Sequence, residues 1–154
     1  RFLARSVLPA GMRQKVVHWR GITVVEDCYN ASPDSMKAAL ETLAGYPCTG
    51  RRIAVLGGML ELGAVSGRAH YETGAFAAEK GIDLLLAYGG DACYYRQGAS
   101  EGGIPAELFT EKAELLARLR EEIRPGDAVW VKGSRGMRME EILEGLYKGE
   151  VVNE

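Results

Sequence analysis

The stretch DCYNASPDSMKAAL, residues 27–40, follows the β-like run GITVVE, residues 21–26. After it, Met36, Leu40 and Leu43 recur at helical spacing. A strand therefore gives way to a helix, and the join is made of small polar residues. Ser32 suits the N-cap, Pro33 the first helical position and Asp34 the first turn. Gly45 and Pro47 end the helix predicted over 33–43.

The same alternation continues along the chain. Upstream, the sequence predicts two short strands, 15–19 and 21–27, joined by a tight turn at Arg20–Gly21. Downstream it predicts a strand at 52–57, a helix over 67–80 and a strand at 82–89. A short helix at 91–97, a short strand at 107–109, a helix over 111–123, a strand at 128–133 and a last helix over 137–148 follow. The runs IAVL, LLLA and AVWV are continuously apolar, as strands buried on both faces are. The expected fold is α/β: a Rossmann-like, mostly parallel sheet with helices on both faces, in a single domain over 1–154. In such sheets ligands bind where strand C-termini feed helices.

Composition narrows the function. The 154 residues are 47% apolar and 26% charged with a net charge of −2, so no global field recruits nucleic acid or an acidic membrane. Basic residues are not interleaved with aromatics, which argues against a nucleic-acid partner. The three cysteines form no C-x-x-C pair, so neither a disulfide framework nor a zinc site is expected. A reducing, cytoplasmic location fits them. No apolar run reaches the ~18 residues of a membrane helix, and no signal peptide is visible. The chain opens on RFLARSVLP without Met, as a piece of a longer polypeptide would.

Three loops follow strands: DCYNASPDS, GGMLELGAVSGRAH and KGSRGMRME. They are expected to share one edge of the sheet. In the first, Asp27 and Asn30 can grip ribose hydroxyls, and a helix N-terminus can hold a phosphate. The same residues can equally be plain capping and turn chemistry. In the third, Lys132, Arg135 and Arg138 crowd a turn that opens a helix. Cations are disfavoured there unless an anion balances them. Arg can bind such an anion bidentately. A solvated basic turn is the other reading. Glu61 in the middle loop is a ligand or an exposed loop residue. His18 and His70 are too scattered for a metal cluster, and both read as structural. The chain holds neither G-x-G-x-x-G nor G-x-x-x-x-G-K-[ST].

Taken together and in order, DCYNASPDSM, IAVLGGMLELG and VKGSRGMRMEEIL resemble the C-terminal domain of the Mur ligases, most closely the MurF type, over about Gly11 to Tyr147. The resemblance implies an ATP-dependent amide ligase that joins D-Ala-D-Ala to UDP-MurNAc-tripeptide through an acyl phosphate. It implies that an N-terminal domain holding the UDP-sugar and a central domain carrying ATP hydrolysis and most Mg²⁺ binding are absent from this chain. Those domains would be its partners within one polypeptide, and this domain alone would carry no catalytic residue and no metal. Carried over by position, Asp27, Asn30 and Ser32 would face ATP. Lys132, Ser134, Arg135 and Arg138 would neutralise the dipeptide carboxylate or the transferring phosphoryl group. Departures are Gly58 where the family usually has Asp, Ser32 where Asn is common, Cys28 for a small residue, and a loosely matching PAGMRQKV opening. A binding module of the same fold without ligase chemistry is the alternative. A dinucleotide-dependent oxidoreductase would rest on fold class alone, and the missing glycine fingerprint opposes it.

Overall fold

The computed structural model describes residues 14–148; the PAGMR opening lies outside them. The first two strands, β1 (Lys15–Trp19) and β2 (Ile22–Asp27), form an antiparallel hairpin. Its turn places Arg20 at φ 54° and Gly21 at φ 77°. Two successive positive φ values match the right-handed twist of the flanking strands.

Thereafter strands and helices alternate: α1 (Pro33–Ala44), β3 (Arg52–Gly57), α2 (Ser66–Glu79), β4 (Leu84–Tyr88), α3 (Ala92–Glu101), β5 (Ala106–Phe109), α4 (Lys112–Glu122), β6 (Ala128–Lys132) and α5 (Glu140–Tyr147). The sheet runs β1-β2-β6-β3-β4-β5, and every pair except β1–β2 is parallel. The expected α/β architecture is the one observed. β6, the last strand in sequence, is inserted between β2 and β3. This puts the C-terminal ends of β2, β6 and β3 side by side, with Asp27 level with Lys132 and Lys132 level with Leu56.

Each face of the sheet has its own core. Val25, Ala54, Leu85, Ala128 and Trp130 pack with Met36, Leu40, Leu43, Ala77 and Tyr95 from α1–α3. Val24, Ile53, Val55, Leu86, Val129 and Val131 pack on the other face with Leu115, Leu119, Ile142, Leu143 and Leu146 from α4 and α5. The period of two within each strand decides which residue serves which core.

On the first face α2 and α3 touch backbone to backbone. A Cβ on Gly98 would lie 2.1 Å from the Tyr71 carbonyl oxygen, and one on Gly74 2.0 Å from that of Tyr95. Beside this crossing, His70 and Tyr95 are fully buried, with ring centroids 4.6 Å apart. The Tyr95 hydroxyl donates to the Gly57 carbonyl at 3.0 Å. His70 Nε2 accepts from the Met59 N–H at 2.9 Å, so the ring proton sits on Nδ1 and is donated to the Ser66 carbonyl at 2.7 Å. Two aromatic side chains of the core thus hold the start of the β3–α2 loop. Burial favours the neutral imidazole and lowers its pKa; the Ser66 carbonyl and the Asp91 charge oppose this to a lesser degree.

Two helices depart from expectation by more than two residues: α3 runs on to Glu101, past the expected end at 97, and the last helix starts late. The sequence predicts it from 137, but a 3₁₀ turn occupies Arg135–Met137, Arg138 adopts a left-handed φ of 53°, and α5 begins at Glu140. Met139 must be fully buried against the second core, and the chain turns sharply to place it there.

Two outcomes follow. Gly98→Ala should destabilise the fold by about 1–3 kcal/mol, because the new methyl meets backbone rather than a mobile side chain; an unchanged urea midpoint would show that the helices separate freely. For His70 the unfolded chain binds a proton before the folded one. Stability should therefore be level above about pH 6.5, the ordinary value, and decline as pH falls toward the lower folded value. Urea midpoints measured between those conditions should show a steeper decline for the parent than for His70→Gln.

Candidate active-site edge

The three loops singled out in the sequence meet at one edge, as the strand order requires. Their contents are arranged differently from a row of open ligands. Ser32 is the N-cap of α1, accepting from the Ser35 N–H at 3.2 Å, while the Ser32 N–H donates to Ser35 Oγ at 2.9 Å. The Met36 N–H is taken by the Ser32 carbonyl, and Pro33 has none. The helix N-terminus expected to hold a phosphate thus uses its Ser35 N–H in its own capping box. What the Ser32 hydroxyl retains is a proton to donate.

Asp27 and Lys132 sit at the matched ends of β2 and β6, with side chains 4% exposed each. Lys132 Nζ lies 3.0 Å from Asp27 Oδ2 and donates to the Asn30 carbonyl at 2.9 Å. Trp130 Nε1 donates to the same Asp27 oxygen at 3.1 Å. The two residues expected on different ligands hold each other. The pattern AVWVK on β6 explains it: Ala128, Trp130 and Lys132 share a face, which is the face of Val25 and Asp27 on β2. Next to Asp27, burial and the Glu140, Glu26 and Asp27 carboxylates push the Cys28 thiol up to about 12, against a backbone hydrogen bond at Asp27 that lowers it. A thiol held there is scarcely ionised near neutral pH.

Ser134 ties the third loop to the second. Its Oγ accepts from the Leu60 N–H at 3.0 Å and its own N–H reaches the Gly58 carbonyl at 3.3 Å. The hydroxyl proton remains to donate. Arg135 and Arg138 are exposed. The Arg135 guanidinium stacks on Tyr29 at 4.8 Å from the ring centroid, joining the third loop to the first. Arg138 pairs with Glu141 at 3.1 Å. Because α5 starts at Glu140, the three cations lie ahead of its first turn, which is acidic with Glu140 and Glu141. Arg138, next to the Met139 N-cap, is answered by Glu141, so the conflict with the helix dipole is offset within the chain.

The middle loop is packed too tightly for any side chain at its second position. A Cβ on Gly58 would lie 2.6 Å from the Gly89 carbonyl oxygen. Glu61 is exposed, with φ 63°. His70, Tyr95 and Trp130, which fix this edge from below, are site-building residues that sequence patterns do not announce. Each reads as core, and only its polar tip has a second task. Among the described residues no group of three or more His, Cys, Asp or Glu could hold a metal ion, and no helix is long and apolar enough to cross a membrane.

Residues 12–135 match the family described as Mur ligase, glutamate ligase domain. The chain is 39% identical over 144 residues to the UDP-N-acetylmuramoyl-tripeptide–D-alanyl-D-alanine ligase of Bacillus subtilis, an overlap of 90% of this chain and 31% of that protein. With the protein of the same name from Escherichia coli it shares 37% over 127 residues, covering 81% and 27%. Its fold superposes on the MurF ligase of Thermotoga maritima, solved with ADP, with a TM-score of 0.76 and 27% identity over 92% of this chain and 31% of that one. The chain spans less than a third of the length of these relatives. It belongs to the Mur ligase family, and is the C-terminal, glutamate ligase domain of that family.

Proposed function

We propose that the polypeptide to which this chain belongs is an ATP-dependent ligase joining D-Ala-D-Ala to UDP-MurNAc-tripeptide in cytoplasmic peptidoglycan precursor synthesis. This domain closes over the nucleotide and positions the dipeptide. The observation that carries the reading is the meeting of the first and third loops at one sheet edge, with Arg135 stacked on Tyr29 across them. Names of the relatives supply the substrates.

In this reaction the tripeptide's terminal carboxylate takes the γ-phosphoryl group of ATP and ADP leaves. The dipeptide amine attacks the acyl carbon, loses a proton, and inorganic phosphate departs as the amide forms. The residues here act by placement and charge neutralisation. Exposed Asn30 and the Ser32 hydroxyl proton face the nucleotide, with Asp27 fixed beneath them. The Ser134 hydroxyl proton and the guanidinium groups of Arg135 and Arg138 face the anionic group of the incoming substrate. Mg²⁺ finds no ligand cluster among the described residues. It is assigned to the part of the polypeptide outside this chain, and no step is routed through it.

The test is ADP release by the full polypeptide with Mg-ATP and UDP-MurNAc-tripeptide, with D-Ala-D-Ala added or omitted. Release that depends on the dipeptide is expected. A folded protein that binds nucleotide but releases no ADP would instead be a binding module of the same fold. Arg135→Ala should raise KM for D-Ala-D-Ala by roughly 10- to 100-fold, the size of one lost charge-assisted contact; an unchanged KM removes Arg135 from the dipeptide site.

A further inference from the structure

Lys132 belongs by sequence to the loop assigned to the incoming dipeptide, yet its ammonium points into the other loop. Its side chain is 4% exposed, its ammonium contacts Asp27 Oδ2 and the Asn30 carbonyl, and both lie on the nucleotide side. From this we infer that Lys132 is a positioning residue for the nucleotide, acting through Asp27 and Asn30, and that it does not touch the dipeptide. The inference rests on the ligase reading given above.

The geometry supports each part. A buried ammonium cannot reach a ligand without leaving a buried carboxylate unpaired, and breaking such a pair is strongly unfavourable. The bond to the Asn30 carbonyl is a main-chain anchor in the middle of the β2–α1 loop, three residues past the end of β2. It fixes the backbone that carries the exposed Asn30 side chain. Trp130 donates to the Asp27 oxygen that Lys132 also uses, so the carboxylate is held from two sides and its orientation is set. Lys132 is also the residue from which the 133–138 loop departs, carrying Ser134 and Arg135. The side chain's own contacts run to the first loop, while the third loop is carried by the main chain of β6. The pair is local to β2 and β6, so its effect should appear in nucleotide affinity first.

The experiment uses the full polypeptide and two readouts: equilibrium Kd for a non-hydrolysable ATP analogue with Mg²⁺, and steady-state KM for D-Ala-D-Ala. Lys132→Met should weaken the analogue by at least about 10-fold and leave the dipeptide KM within about two-fold. Asp27→Asn should weaken the analogue similarly, and the double variant should be no worse than the single ones, since each breaks the same unit. Trp130→Phe removes one hydrogen bond and keeps both charges. It should weaken the analogue by about 3- to 10-fold, which keeps the test decisive if a charge variant fails to fold. Analogue affinity unchanged in Trp130→Phe, or a Lys132→Met defect confined to the dipeptide KM, overturns the inference. If the parent binds the analogue but shows no dipeptide-dependent ADP release, the ligase reading falls, while the Kd series still decides the role of Lys132. A parent that binds no nucleotide ends both.

Discussion

A carboxylate and an ammonium, both withdrawn from water, meet where β2 and β6 end. Removing water from two charges is expensive, and only good geometry with further hydrogen bonds repays it. Here Trp130 and the Asn30 carbonyl complete the set. The pair sits at the point where the last strand of the sequence slots beside the second. It thus joins residues 105 positions apart and fixes the edge from which two site loops depart. A hydrophobic pair of equal volume could fill the same space, but it could not anchor a main-chain carbonyl. Directionality is what the ionic solution supplies.

The second constraint is close packing around the β3–α2 loop. Its amides and carbonyls are taken one by one by Tyr88, His70, Tyr95 and Ser134, from four different elements or loops. Buried backbone polar groups need such partners. The arrangement leaves no room for a side chain at Gly58, whose Cβ would lie 2.6 Å from the Gly89 carbonyl oxygen. The loop is a packed support, and the exposed guanidinium groups of Arg135 and Arg138 lie on the third loop beside it.

Much of the fold was legible because strands and helices each carry a period. IAVL, LLLA and AVWV announce buried parallel strands, and Ser32, Pro33 and Asp34 announce the start of α1. The Arg20–Gly21 turn was readable as well. The start of α5 was not. MRMEEIL has helical spacing from Met137, but burying Met139 forces a left-handed Arg138 and a later start. Likewise, the balance of the three cations depends on the later start of α5 and on the Arg138–Glu141 pair, neither of which local spacing encodes.

Sequence alone determined which residues could be strand, helix or loop, which loops share the sheet edge, and, through their order, the family resemblance. Those properties depend on spacing along the chain and on local backbone preferences. Tertiary structure decided which polar groups remain available at that edge. It turned Lys132 toward Asp27 and not outward, gave Ser32 to its helix cap, and set His70 under Met59. Hydrogen bonding and burial of this kind depend on which distant strands become neighbours, and no local pattern encodes the distance between residues 27 and 132.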